Sequence, residues 1–439
     1  MRADRFRSFA VVLGMPLVLM GCEPGHPPPR SNFGAHPSLP AAHETTIPTV
    51  NFSTAEAWPK DAAPVAPAGF KVTGYAQGLD HPRWLYVLPN GDVLAAESST
   101  VPRAPKSLKD RLQFFLERND GVIRASANRI TLLRDSDGDG VVDRRTTFLT
   151  GIVQPFGMVL VKDVLYVAGT GGVWRFPYRD GETSIREKGR KILDLPVGGY
   201  NNHWTRNIVA NADGTKLYVT VGSGSNVAEH GMDNEKRRAD VLEIDPGGGG
   251  ERVFASGTRN PVGLAWEPST HVLWAVVQER DMLGDDLVPD YLTRLRAGDF
   301  YGWPWSYFGK HVDARATPRR SDMVARAIAP DYALGAHSAV LGLVFYTANA
   351  FPAPYRGGAF IAMHGSWNRT AFAGYKVVYV PFANGMPNGE PRDFLTGFMP
   401  DPKNGIAHGR PVGLAVDRTG ALLVADDTGD MIWRIAPKP

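Results

Sequence analysis

Four side chains in this sequence are suited to proton and anion chemistry: Gln154, His203, Arg259 and Arg410, with Asn260 directly after Arg259. A neutral imidazole, with an ordinary pKa of about 6.5, can take a hydroxyl proton. A guanidinium stabilises negative charge on an oxygen and grips a carboxylate with parallel donors. An amide supplies both donor and acceptor. Each type is commonplace at a solvated strand end, so no single residue decides anything. Their shared address does, because each stands at or just before the start of a short apolar strand that recurs along the chain. A separate acidic segment, Asp135-Ser136-Asp137-Gly138-Asp139-Gly140-Val141-Val142-Asp143, puts carboxylates at positions 1, 3, 5 and 9 of an EF-hand-like loop, with Gly at position 6. Thr146 stands where such a loop needs a bidentate Glu, and no helical pattern flanks it. Weak structural Ca²⁺ binding and an Asp/Gly-rich hairpin turn are both open readings.

The elements that position these groups are strand pairs. His81-Pro82-Arg83-Trp84-Leu85 leads into Asp92-Val93-Leu94-Ala95, and Gln154-Pro155-Phe156-Gly157-Met158 into Val164-Leu165-Tyr166-Val167. Thr205-Arg206-Asn207-Ile208 precedes Lys216-Leu217-Tyr218-Val219, and Asn260-Pro261-Val262-Gly263-Leu264 precedes Val272-Leu273-Trp274-Ala275. Leu341-Gly342-Leu343 into Gly358-Ala359-Phe360 and Arg410-Pro411-Val412-Gly413-Leu414 into Ala421-Leu422-Leu423 complete the series. Asn-Gly, Asp-Gly and Thr-Gly turns join the strands cheaply. No such unit buries both faces alone, so radial stacking follows. The sequence therefore predicts an all-β chain, a six-bladed β-propeller with a disordered N-terminal tether. Five or seven blades, or a β-sandwich array, are the alternatives. In a propeller the inner strands begin at the central channel, which would bring Gln154, His203, Arg259, Asn260 and Arg410 to one pocket.

The ends and composition bound the rest. With 48 Lys+Arg against 45 Asp+Glu, the net charge of +3 and the lack of a basic stripe argue against nucleic acid. Arg2, Arg5 and Arg7 precede the apolar run Phe9 to Met20, which is too short to span a bilayer as a mature helix. The run ends at Cys22, the chain's sole cysteine, so disulfides are excluded. Leu19-Met20-Gly21-Cys22 resembles the lipobox of bacterial lipoproteins, in which the Cys is acylated. The expected layout is a signal peptide over 1–22, a Pro-rich linker over 23–65 and the propeller over 66–439. The protein is then exported and periplasmic, touching the membrane only through the lipid anchor. With no Cys-x-x-Cys-His there is no covalent haem. The glycines at 222–224 and 247–250 do not lie between a strand and a helix, so they do not form a dinucleotide fingerprint.

Three segments carry a family resemblance: Asn202-His203-Trp204-Thr205-Arg206-Asn207, Arg259-Asn260-Pro261-Val262-Gly263-Leu264, and Tyr301-Gly302-Trp303-Pro304. Together they resemble the sorbosone dehydrogenase family, relatives of the soluble quinoprotein glucose and pyranose dehydrogenases. The resemblance implies oxidation of a sugar or aldehyde by pyrroloquinoline quinone (PQQ) beside Ca²⁺, with electrons passed to a separate acceptor, a quinone or cytochrome. It implies His203 as general base, Arg259 as the charge on the quinone oxygen and Gln154 as a polar contact near the substrate. Asn260, Arg410, Arg369 and Asn202 become cofactor contacts, and His337 a candidate pocket residue. The Ca²⁺ would rest mainly on backbone oxygens around Glu279, Arg280 and Asp286. Two departures stand out: Asn202 where the glucose-oxidising relatives carry an Asp, and Glu279-Arg280 where smaller residues are expected. The rival reading is a non-catalytic propeller that binds carbohydrate or protein. A lactonase-like hydrolase would want carboxylates at the blade starts, where this chain has Gln, Arg and Asn.

Overall fold

The computed structural model describes residues 25–44, 49–100, 119–121 and 124–438. Six antiparallel sheets follow one another along the chain. Their inner strands are Pro82–Val87, Pro155–Val161, Ile208–Ala210, Asn260–Trp266, Val340–Phe345 and Pro411–Val416, which number blades one to six. This is the expected all-β six-bladed β-propeller. The ring closes through the N-terminal side: Phe70–Ala76 pairs with Met431–Pro437 as the outermost strand of blade six.

Burial falls outward along each blade. The second strands Val93–Glu97, Leu217–Val221, Ala359–Met363 and Leu422–Asp426 are buried at every residue. Both of their faces pack against neighbouring blades, so they read as continuous apolar runs instead of alternating ones. The outer strands Arg144–Thr150 and Arg190–Asp194 expose most of their residues.

The glycine repeated in four of the inner strands has a steric cause. A Cβ on Gly342 would lie 2.1 Å from the Val412 carbonyl oxygen, and one on Gly413 would lie 2.7 Å from the Arg83 carbonyl oxygen. Gly157 and Gly263 meet the next inner strand in the same way, at Ile208 N and Leu341 O. Each blade thus lays its inner strand against the backbone of the following one. The residue just before that glycine turns inward: Phe156, Val262, Leu341 and Val412, from four different blades, share one buried cluster with Trp84 and Trp204. The axis is plugged there by side chains, and the polar groups gather at its strand-start end.

Two expectations change. The inner strand of blade three begins at Ile208, not at Thr205, so residues 203–207 form a loop. The Pro-rich stretch expected to be a free linker over 23–65 is, where described, laid on the propeller. Phe33–Gly34 pairs with the edge strand of blade four, Thr54–Ala55 pairs in parallel with Ile406–Ala407, and Trp58 Nε1 donates to Asp426 Oδ2 at 2.8 Å. Its scattered Asn, Ser and Trp side chains supply the donors that low periodicity concealed. Cys22 and the apolar run before it lie outside the described residues. Among the described residues no helix is long and apolar enough to cross a membrane.

Candidate active site at the propeller axis

His203 sits in the loop ahead of blade three, half-buried. That loop is braced by Arg206, which is fully buried and donates through Nη1 to the carbonyls of His203 (2.7 Å) and Thr205 (2.9 Å). Its Nη2 reaches Pro196 O at 3.2 Å and Asn201 Oδ1 at 3.3 Å. Burial and the nearby Arg238 pull the Arg206 guanidinium down to about 9.

The His203 ring is oriented by blade three itself. Nδ1 lies 2.8 Å from Ser223 O and 3.0 Å from Ser223 Oγ, and that hydroxyl donates onward to Ser225 O. A carbonyl only accepts, so Nδ1 carries the proton and Nε2 keeps its lone pair. Among the described residues no group hydrogen-bonds Nε2. Burial, then the Arg259 charge, holds the imidazole neutral down to about 3.

Arg259 is buried, and each of its three nitrogens donates. Nε donates to Asn226 O, Nη1 to Glu279 O, and Nη2 to Asn226 Oδ1 (2.9 Å) and Asp281 Oδ2 (3.2 Å). Asp281 also faces His337 Nδ1 at 3.4 Å. Burial works against the Asp281 charge, but the His337 hydrogen bond and Arg259 keep the carboxyl below its usual range. Asn260 donates to Gln278 Oε1 at 2.7 Å, while its own buried Oδ1 has no partner among the described residues. That oxygen points at the same place as the His203 Cβ, since both would crowd a Cβ added at Gly222.

A second polar cluster occupies blades five, six and one. The Asp427 carboxylate accepts from Arg83 Nη1 and lies 2.9 Å from His364 Nε2 and 3.4 Å from His81 Nε2. Burial opposes its charge, yet His364, His81 and Arg83 drive its pKa well down. Burial in turn holds His81 neutral to about 3 and His364 to about 4. Arg83 also stands over the rings of Phe156 and Trp204. Arg410 donates to Asp120, His364 O and Gly365 O, and Asp120 accepts from Ser53 as well.

The structure therefore brings together His203, Arg259 and Asn260, and spends the other expected contacts elsewhere. Gln154 donates to Ser99 O at 2.8 Å, tying blade two to blade one. Arg410 is neutralised by Asp120. Arg369 is buried and holds Asp285 O, Asp286 Oδ1 (2.9 Å) and His26 O. Asn202 is exposed, with its backbone N–H on Gly224 O. The sequence gives no sign of Ser223, Asn226 or the cluster around Asp427, and it marks Arg206 and Asp281 only as parts of a signature segment and of the candidate Ca²⁺ stretch.

In the acidic loop, the carboxylates of Asp135, Asp137 and Asp143 lie within 4.8 Å of one another. Asp139 stays outside that group, and its Oδ1 accepts from Val141 N.

For the quinone, the residues present fit at one corner. His203 offers an open Nε2, Arg259 a charge, and Asn260 an unpartnered acceptor. For Ca²⁺ the expected residues do not fit: the Glu279 carbonyl is held by Arg259, and Arg280 and Asp286 are bound into ion pairs with Glu279 and Arg369.

Six blades around an axis plugged by apolar side chains define a β-propeller, with polar side chains gathered at its strand-start end. Residues 173–366 match the family profile "Glucose / Sorbosone dehydrogenase", and residues 308–438 match one described as TrAA12-like. Over residues 173–366, under half of its length, the chain is thus similar to the glucose/sorbosone dehydrogenases. It is 32% identical over 243 residues to an uncharacterized protein of Borreliella burgdorferi (55% of this chain, 62% of that one). It is 25% identical over 184 residues to the aldose sugar dehydrogenase YliI of Escherichia coli (39% of this chain, 47% of that one). The chain thus spans under two thirds of the length of the curated relatives it matches. The holo PQQ domain of pyranose dehydrogenase from Coprinopsis cinerea superposes with a TM-score of 0.69 at 20% identity, covering 88% of this chain and 100% of that one.

Proposed function

We propose that this chain is an exported quinoprotein dehydrogenase, anchored through Cys22, that oxidises a sugar or aldehyde with PQQ and passes the electrons to a separate acceptor. The observation that carries this reading is the His203 ring, with Nδ1–H fixed on Ser223 O and Nε2 open beside Arg259. When bound, the quinone supplies the two-electron sink. The chain's own residues do the rest. His203 Nε2 accepts the proton of the substrate hydroxyl, and the fixed tautomer spares it any reorientation. Arg259, immobilised by Asn226, Asp281 and Glu279 O, places positive charge where an oxygen gains negative charge. Its charge also lowers the basicity of His203, so an anion bound against Arg259 raises the imidazole's proton affinity at the moment it is needed. The aldose sugar dehydrogenase and pyranose dehydrogenase relatives support a sugar as the substrate class.

The test mixes purified protein with PQQ and Ca²⁺, an artificial electron acceptor and a panel of aldoses and aldehydes. Dye reduction with at least one of them is expected. No reduction with any, together with no PQQ binding, overturns the reading and leaves a binding propeller.

A further inference from the structure

The loop that leaves the second strand of blade four, residues 279–286, is where the resemblance places a hard cation. In the structure its oxygens already have partners. Arg259 Nη1 donates to Glu279 O. Asp281 O accepts from Asn226 Nδ2 (3.1 Å) and from Arg315 Nη1 (2.9 Å), and the same Arg315 nitrogen lies 3.4 Å from Met282 O. His43 N donates to Leu283 O at 3.1 Å, and His337 Nε2 lies 3.0 Å from Gly284 O. Arg369 Nη1 donates to Asp285 O, and Asn32 Nδ2 to Asp286 O at 2.9 Å. Of these eight residues only Arg280 has a carbonyl without such a donor among the described groups.

The side chains balance as the backbone does. Arg280, fully buried, donates from Nε to Glu279 Oε2 (2.9 Å), from Nη1 to Pro304 O (3.1 Å) and Asp313 Oδ2 (3.3 Å), and from Nη2 to Ser306 O (2.8 Å). Two carbonyls and two carboxylates form the sort of oxygen set a hard cation would choose, and here a guanidinium occupies it. Asp313 also pairs with Arg315 at 2.8 Å, Asp281 with Arg259 at 3.2 Å, and Asp286 with Arg369 at 2.9 Å. Four guanidinium groups (259, 280, 315, 369) and the His337 ring thus stand among the carboxylates of 279, 281, 285, 286 and 313, with Asp285 also accepting from Thr370 N and Asp290 accepting from Glu279 N. A divalent ion would have to displace guanidinium groups that already hold these carboxylates, leaving buried cations without partners, which is strongly unfavourable. Glu279 Oε1 is buried without a partner, one oxygen where Ca²⁺ takes about six to eight.

We infer that the 279–286 loop is organised by the chain's own guanidinium, imidazole and amide donors, with Arg280 as a built-in cation, and that it needs no divalent metal. The pocket beside His203 then keeps its shape in chelator. Two of the donors, Asn32 and His43, come from the N-terminal segment laid on the propeller, which gives that segment a part in shaping the site.

The experiment uses the full chain without quinone, so its result is independent of the dehydrogenase reading. The acidic loop is first silenced by D135N/D137N/D143N, because it could take an ion of its own. The melting temperature is then measured after chelation with EDTA and again with Ca²⁺ raised to about 1 mM. The expected difference is under about 1 °C, whereas a micromolar site present in the folded state alone would raise the midpoint by several degrees. A saturable rise in the silenced protein overturns the inference. If the triple variant does not fold, Asp137→Lys, at an exposed position and carrying its own ammonium, serves as the background with the same two outcomes.

Discussion

Two histidine corners face the propeller axis, and they differ in what is left over. In the corner of blades five, six and one, both imidazoles lean on one carboxylate, Asp427, which also takes Arg83, so the charges are consumed internally. In the corner of blades three and four, the single ring of His203 is held from behind by Ser223 and presents Nε2 to no protein partner among the described residues. The first arrangement suits holding blades together. The second suits proton transfer. The difference shows that imidazole near the axis is not in itself a sign of catalysis; the tautomer-fixing contact on one nitrogen and the free lone pair on the other are.

The sharpest way to break this contrast is to remove one ring from each corner. His203→Ala is expected to lower kcat for dye-linked sugar oxidation by about 10³-fold while PQQ binding stays within a few-fold. His364→Ala should leave kcat within about threefold and lower the melting temperature instead. Equal turnover in both variants would erase the distinction. Next in size is Asp427→Ala, which strands the buried Arg83 guanidinium and should cost about 3–5 kcal/mol in denaturant unfolding. Gly342→Ala is expected to cost about 1–3 kcal/mol by pressing a methyl on the Val412 carbonyl, with little change in kcat.

Acid sharpens the comparison further. His81 and His364 stay neutral in the fold down to about 3 and about 4, whereas in the unfolded chain they protonate near the ordinary value of about 6.5. Between those values the unfolded chain binds more protons, so stability falls as pH drops below about 6.5 and is unaffected by these groups above it. The slope is up to about 1.4 kcal/mol per pH unit for each histidine, and His364→Asn should remove its share. By the same depression of His203, kcat/KM of the free enzyme should show no acid limb near 6.5. The smallest effect belongs to Ser223→Ala: the hydroxyl goes, the carbonyl that holds Nδ1–H stays, and kcat should change less than about threefold.

The strand pairs were legible in the sequence because each carries its own local signal. Pro opens the inner strand, Gly meets the next blade and Asn-Gly or Thr-Gly turns the hairpin; Gly91, Gly214 and Gly420 all take the positive φ expected of them. His203 and Arg259 were legible for the same reason, since each sits beside a recognisable strand start. Asp427 was not, because its partners His81 and Arg83 lie some 345 residues away in sequence and only ring closure brings them near. Arg410 was read as free for an anion because its partner, Asp120, sits in an insertion without pattern. The partners of the 279–286 loop were hidden likewise. Its carbonyls looked available until Asn32 and His43 arrived from a segment whose composition suggested a tether.

The pairing of Phe70–Ala76 with Met431–Pro437 has a consequence for how the molecule comes into being. The first strand of the propeller to be made waits for its last, so no closed ring exists until Met431–Pro437 has been made. About 360 residues must be strung out before blade six can form, which gives a high contact order and slow closure. Until that moment the apolar second strand Leu422–Asp426 has no completed blade around it, and the half-built ring offers open edges to other chains. Loss of Met431–Pro437 would leave Leu422–Asp426 and Phe70–Ala76, strands from opposite ends of the propeller, each without its partner.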